Sequence, residues 1–116
     1  MLRKILSIVF TSAIMFIPPT TAQSAARRIE VTAKRFEFAP AEITLKKGEP
    51  VTLALKSADV AHGIRFRELG VSVNVAKGQT SEVTFTPDKT GTFVGHCSVF
   101  CGGGHGSMML TLHVVE

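Results

Sequence analysis

The sequence has no strong excess of charge of either sign. Its 116 residues include 13 Lys and Arg against 9 Asp and Glu, and the formal net charge is +4. Two of the basic residues, Arg3 and Lys4, lie in the N-terminal segment, so the rest of the chain carries eleven basic and nine acidic residues, a net charge of +2. Because this excess is small and the basic residues do not run together, the composition does not favour a nucleic-acid-binding protein.

The sequence also lacks an apolar run long enough to span a membrane. Its longest apolar stretch covers residues 5–17, whereas a membrane-spanning helix needs about 17–25 residues. Two basic residues precede this stretch, a Pro-Pro pair ends it and small residues follow. This order is typical of a secretory signal, so we predict a signal peptide over residues 1–26, cut after Ala22 or Ala26. We therefore expect export to the periplasm or another compartment outside the cytoplasm, with no membrane span after signal removal.

Helical periodicity is the third absence. From residue 27 onward, short alternating apolar runs are separated by turn signals, and no window shows a convincing helical pattern. A doubly wound α/β fold is thereby excluded, and residues 27–116 are long enough for one domain with a single core. We predict an all-β Greek-key sandwich or barrel of about seven or eight strands. In one run, His62 shares the parity of Ile64 and Phe66, which orients His62 toward the interior.

Only two cysteines are present, and both lie in one short stretch, the cysteine segment, residues 97–108. In an exported protein two cysteines ordinarily form a disulfide. Here His105 and Met108 follow at loop spacing, and the glycines at 102–104 give the backbone freedom to fold the imidazole back toward the thiols. Sulfur with imidazole is the ligand set that selects copper, so we predict a copper site to which His62 adds a second imidazole.

The residues leave two copper arrangements open. One ion could use His62, a single cysteine, His105 and a weak axial Met108, which is the blue-copper arrangement and leaves one thiol unused. Alternatively, both thiolates could bridge two ions, with one imidazole terminating each. Sharing both sulfurs lets an electron be gained or lost with little change in any bond, which suits electron transfer. Neither an open metal position nor a nucleophile beside a general base is evident, so we predict a protein that is not an enzyme.

The same residues resemble the dinuclear CuA centre of cytochrome c oxidase subunit II and of nitrous oxide reductase, which is built on the cupredoxin fold. The matching motif is Cys97-Ser98-x-x-Cys101-Gly102-x-x-His105-x-x-Met108, with Asp59-Val60-x-His62 upstream. The resemblance covers nearly all of residues 27–116. It implies a two-copper centre with these ligands: the bridging Cys97 and Cys101, the terminal His62 and His105, the axial Met108 and, opposite it, the backbone carbonyl of Val99.

Two departures from that family are visible. Val99 stands where the oxidase subunits usually have glutamate; a carbonyl survives this change, but the carboxylate that helps contact the catalytic subunit does not. The chain also contains no Trp and no Tyr, so the aromatic electron-entry patch of the oxidase subunit is missing, as are its membrane helices. These absences favour a stand-alone soluble relative over an integral oxidase subunit.

Three functions remain open at this point. The first is an exported electron carrier whose redox partner is a protein such as a c-type cytochrome or a terminal oxidase. The second is a periplasmic copper chaperone or scavenger that supplies an oxidase, suggested by the missing aromatic patch and by His96 beside the first thiol. The third is a structural module with a Cys97–Cys101 disulfide. Strand alternation predicts that His96 faces solvent, Phe100 is expected to cover the site, and Asp59 is either a turn residue or a support for a ligand.

Overall fold

The computed structural model describes residues 8–18 and 26–116. Within these ranges the chain forms nine strands and two short 3₁₀ turns. The strands are β1 (Arg27–Lys34), β2 (Glu37–Ala39), β3 (Glu42–Lys46), β4 (Val51–Ser57), β5 (His62–Phe66), β6 (Val71–Val75), β7 (Thr80–Phe85), β8 (Gly91–His96) and β9 (Met109–Val115), and the turns are Arg67–Leu69 and His105–Ser107. The expected seven or eight strands were too few, because the first apolar region divides into β1 and the three-residue β2.

The strands form two mixed sheets. One has the order β2-β1-β4-β7 and the other β3-β9-β8-β5-β6. Two pairs, β1 with β4 and β3 with β9, are parallel, and the remaining pairs are antiparallel. The parallel pairs arise because the chain crosses from one sheet to the other instead of returning through a hairpin. The predicted all-β sandwich is confirmed, with the two sheets curved into a half-barrel.

The core lies between the sheets and is built from alternating side chains. Three strands each bury one alternating set of side chains: Val51, Leu53 and Leu55 in β4, Val71, Val73 and Val75 in β6, and Leu110, Leu112 and Val114 in β9. Since successive side chains of a strand point to opposite faces, the polar residues between most of these positions face outward. Burial of this apolar surface is the largest favourable term in the free energy of folding.

The register of β5 brings His62 to the cysteine segment. β5 pairs with β6 on one side and β8 on the other, and Arg65 lies opposite His96. Because β5 and β8 are antiparallel, the beginning of β5 lies at the end of β8, where Cys97 follows. The backbone N–H of Ser98 donates to the Gly63 carbonyl at 3.2 Å and extends this pairing into the cysteine segment. His62, Ile64 and Phe66 are all buried, which confirms the predicted orientation of His62.

The predicted signal peptide is only partly within the described residues. Residues 8–18 have no helix or strand and their side chains are exposed, whereas residues 1–7 and 19–25, including the first cleavage position at Ala22, lie outside them. Ala26, the second position, directly precedes β1. Across residues 8–18 and 26–116 we find no helix with the length and apolar character needed to cross a bilayer. The signal peptide remains a prediction.

We predict that Gly95→Ala destabilises the fold. A Cβ at Gly95 in β8 would lie 2.5–2.8 Å from three ring atoms of Phe66, which is itself buried. Overpacking of this kind costs about 1–3 kcal/mol in the free energy of unfolding. Urea unfolding of the metal-free protein measures the change. Gly106→Ala is the matched control, because a Cβ there meets nothing within 4 Å, and equal stability of the two variants would contradict the prediction.

Candidate metal centre

Three segments of the chain meet at one end of the sandwich. The connection from β4 to β5 and the first residue of β5 contribute Asp59 and His62. The loop after β8 contributes Cys97 and Cys101, and the second 3₁₀ turn leads His105 and Met108 into the same region. A backbone hydrogen bond from the Cys97 N–H to the Met108 carbonyl, 3.1 Å, closes the two ends of the cysteine segment. The structure therefore brings together all the side chains that the motif predicted as ligands.

Each sulfur has its own imidazole. The two Sγ atoms are 3.8 Å apart and both thiols are free, well beyond the 2.05 Å of a disulfide bond. His62 Nδ1 lies 4.0 Å from the Cys97 sulfur, and His105 Nδ1 lies 3.7 Å from the Cys101 sulfur. The four strong donors thus form a row of imidazole, thiol, thiol and imidazole.

A weaker donor accompanies each sulfur. The Cys97 thiol donates to the Val99 carbonyl oxygen at 3.1 Å, and the Met108 Sδ lies 3.8 Å from the Cys101 sulfur. The Val99 carbonyl and the Met108 thioether therefore lie beside different sulfurs, the first beside Cys97 and the second beside Cys101. Each sulfur thus has one imidazole and one weak donor beside it.

Water is largely excluded from the row. His62 and Met108 are completely buried, and the two cysteines are 5% and 4% exposed. His105 is half-buried and is the member closest to solvent. The exposed ring of Phe100 lies beside it, with centroids 5.6 Å apart. Phe100 was expected to cover the site, but it is 79% exposed, and its ring is paired with that of His105.

Asp59 fixes the orientation of His62. Its Oδ1 lies 2.6 Å from His62 Nε2, which leaves Nδ1 facing Cys97. Burial acts to raise the pKa of Asp59, but hydrogen bonds from the Arg35 backbone N–H, the His62 ring and the Val60 N–H outweigh it and lower the pKa to about 2. An ionised carboxylate on the far nitrogen holds an imidazole in the tautomer that can bind metal. Of the two roles open for Asp59, the contact favours support of a ligand.

The surroundings of Cys101 hold its thiol as a neutral group. Burial raises the pKa of Cys101 to about 11, and the hydrogen bond to Cys97 and the charge of that neighbour act in the same direction. The thiolate is the form that binds metal, so a metal entering this site must displace the proton. This is the behaviour of a buried thiol that has no helix N-terminus beside it.

Two further residues lie around the centre. The sequence predicted the exposure of His96 but not the contact that Arg35 makes. His96 is exposed, as alternation predicted, and lies in the wall of a groove of about 530 Å³ that also reaches Cys97. Arg35 was missed. Its Nε donates to the Cys101 carbonyl at 2.8 Å across a sequence separation of 66 residues, and no local pattern marks a contact of that range.

The donor set fits copper. His62, Cys97 and Cys101 place one ligand atom each within 4.8 Å of one another, and all three are buried. Two thiols, two imidazoles and a thioether are soft or borderline ligands of the kind that copper prefers, and no carboxylate belongs to the row. The residues that would hold copper are those predicted from the motif: His62, Cys97, Cys101, His105 and Met108, with the Val99 carbonyl.

Comparison with known proteins gives one family. The model of the cupredoxin-like domain family matches residues 7–109. The nitrous-oxide reductase of Stutzerimonas stutzeri is 35% identical over 86 residues, which are 71% of this chain and 14% of that protein. Cytochrome c oxidase subunit 2 of Thermus thermophilus is 31% identical over 88 residues, 76% of this chain and 65% of that protein. The chain thus spans a small part of the reductase and less than two thirds of the oxidase subunit.

The fold comparison agrees. The periplasmic domain of subunit II of the cytochrome oxidase of Bradyrhizobium japonicum superposes with a TM-score of 0.72 at 23% identity, covering 83% of this chain and 88% of that one. The predicted resemblance to the oxidase subunit II and nitrous oxide reductase domains is confirmed, as is the predicted fold.

We predict that Asp59→Asn weakens copper binding by about 10–100-fold, the usual effect of removing a carboxylate from the outer nitrogen of a metal-binding imidazole. The amide keeps the size of the side chain but loses the charge that holds the His62 ring. Competition with a chromophoric Cu(I) chelator measures the affinity. Asp88→Asn, in the exposed turn between β7 and β8, is the control, and equal affinities of the two variants would show that Asp59 has no supporting role.

Proposed function

The chain belongs to the cupredoxin-like family, and from this membership we propose that it is an electron-transfer protein with a dinuclear copper centre of the CuA type. The observation that carries the proposal is the row of donors in which two sulfurs 3.8 Å apart each have a separate imidazole. A centre for a single copper needs only one thiol. The second buried thiol, with its own imidazole and weak donor, is accounted for when two ions are held.

We assign six residues to this centre. The proposed bridging ligands are Cys97 and Cys101, the terminal ligands are His62 and His105, and the weak ligands are Met108 and the Val99 carbonyl. When bound, the copper pair would supply a one-electron couple. The protein itself contributes a buried and prearranged set of donors, so little of the surroundings needs to move when the charge changes.

The half-buried His105 is the proposed route between the centre and a partner. It is the member of the row nearest solvent, and the exposed Phe100 ring beside it extends the apolar surface at this end of the sandwich. Electron transfer needs close approach but no substrate pocket, which agrees with a row in which every strong donor is directed inward. We propose no enzymatic activity for the chain itself.

The partner and the compartment follow from the same reasoning. We propose a redox partner protein such as a c-type cytochrome or a terminal oxidase, and a periplasmic or otherwise exported location. The comparison proteins include an oxidase subunit and the periplasmic domain of another, and the N-terminal sequence has the order of a secretory signal.

Electron paramagnetic resonance of the copper-loaded protein tests the two-copper proposal. We expect two copper ions per chain and hyperfine structure from one electron shared by two nuclei. Cys101→Ser should convert this to the pattern of one copper, because only one thiolate remains. Ser107→Ala is the control in the same segment, since its hydroxyl bonds only the Gly104 carbonyl. A wild-type spectrum of a single copper, with one thiol still open to alkylation, would contradict the proposal and support the blue-copper arrangement.

Copper delivery is the second candidate, and one observation favours it. The groove that reaches Cys97 is also lined by His96, Arg65 and Arg67, and an exposed imidazole at its wall offers an incoming or departing copper ion a first ligand.

We expect the copper-loaded protein to be reduced rapidly by a c-type cytochrome without loss of metal. Transfer of copper to a metal-free acceptor within minutes would instead support delivery.

A further inference from the structure

The turn between β1 and β2 contacts both halves of the candidate centre. The backbone N–H of Arg35 donates to Asp59 Oδ2 at 2.8 Å, and the Arg35 side chain donates through Nε to the Cys101 carbonyl, also at 2.8 Å. Asp59 in turn contacts the His62 ring. One residue is therefore bonded to the support of the first imidazole and to the backbone of the second thiol.

Phe36, the next residue, adds a packing contact to the same loop. A Cβ on Gly104 would lie 2.5 Å from the Phe36 ring, and one on Gly102 would lie 3.0 Å from it. The ring therefore lies directly against the backbone that leads from Cys101 to His105. Gly102 also has a φ of 137°, a conformation that side-chain-bearing residues rarely adopt. The glycines of the cysteine segment thus permit the loop to pack closely against the β1–β2 turn.

We propose that Arg35 is a positioning residue that sets the placement of the Cys101 side of the centre relative to the His62 side, and that its charge raises the reduction potential of the copper pair. This inference rests on the proposed function. The planar guanidinium suits the first role, because a fixed N–H direction holds a carbonyl in one place. The guanidinium also suits the second role, raising the reduction potential, because it is always charged.

The electrostatic part has a definite sign. Reduction adds one negative charge to the centre, and a nearby cation stabilises the state with more negative charge. The Arg35 Nε lies 2.8 Å from the Cys101 carbonyl oxygen, which places this cation beside the centre. Among residues 8–18 and 26–116, no carboxylate forms an ion pair with Arg35 that would cancel its charge.

Two variants of Arg35 separate charge from hydrogen bonding. Arg35→Met removes both and keeps a long side chain, whereas Arg35→Lys keeps the charge and loses the planar Nε donor. Arg27→Met is the matched control: the Arg27 side chain donates to the Thr44 carbonyl at 3.2 Å, the same kind of bond made from the opposite end of β1. All variants are prepared as the full chain with copper loaded.

For Arg35→Met we expect an altered copper hyperfine splitting and a lower reduction potential. The expected fall corresponds to a Cu(I) preference about tenfold weaker, or about 59 mV for a one-electron couple. Arg35→Lys should keep most of the potential but show the altered splitting, and Arg27→Met should match the wild type in both. A purely structural role would lower urea stability in Arg35→Met and Arg27→Met alike without these differences. Wild-type potential and splitting in Arg35→Met would overturn the proposal.

A metal-free measurement keeps the positioning role testable on its own. Without the planar donor of Arg35, the Cys101 backbone should open more often, so iodoacetamide should alkylate Cys101 several-fold faster in Arg35→Lys, which keeps the positive charge, than in the wild type or Arg27→Met. Unchanged alkylation would overturn the positioning role. Failure of the wild type to bind two copper ions would instead overturn the proposed function, and this outcome is read from the wild type alone.

Discussion

The candidate centre depends on the pairing of β5 with the end of β8. This pairing places His62 Nδ1 4.0 Å from the Cys97 sulfur, although the two residues are 35 positions apart. Two backbone features secure it: Arg65 lies opposite His96, and the Ser98 N–H reaches the Gly63 carbonyl. Gly63 permits the approach because a Cβ there would collide with the side chains of Ser98 and Asn74. A slip of one residue would turn His62 outward, and the row of donors would lose its first member.

Burial of the donors has a cost that the surrounding hydrogen bonds offset. A buried imidazole and two buried thiols need partners, since unpaired polar groups in the interior are unfavourable. Here the members of the row lie beside one another, Asp59 contacts the outer nitrogen of His62, and no buried side-chain nitrogen or oxygen among the described residues lacks a partner. Contacts within the protein therefore hold the donors in place, as the proposed electron-transfer centre requires.

The two ends of the row differ in their exposure to solvent. His62 is fully buried and held by Asp59, whereas His105 is half-buried beside the exposed Phe100. Contact with a partner is therefore easier at the His105 end. The groove lined by His96 reaches the row at Cys97.

The sequence by itself determined the fold class and the inward faces of most strands, because these rest on local periods. Its motif, together with the family resemblance for the Val99 carbonyl, also named the six residues that the structure brings together. Alternation identifies a strand face, and the intervals between Cys97, Cys101, His105 and Met108 follow from one loop. Only the tertiary structure decided the parallel pairs, the three-residue β2, the exposure of Phe100 and the contacts of Arg35. These depend on register and on turns that join distant residues, such as Arg35 with Cys101, and local sequence patterns do not encode distances across the fold.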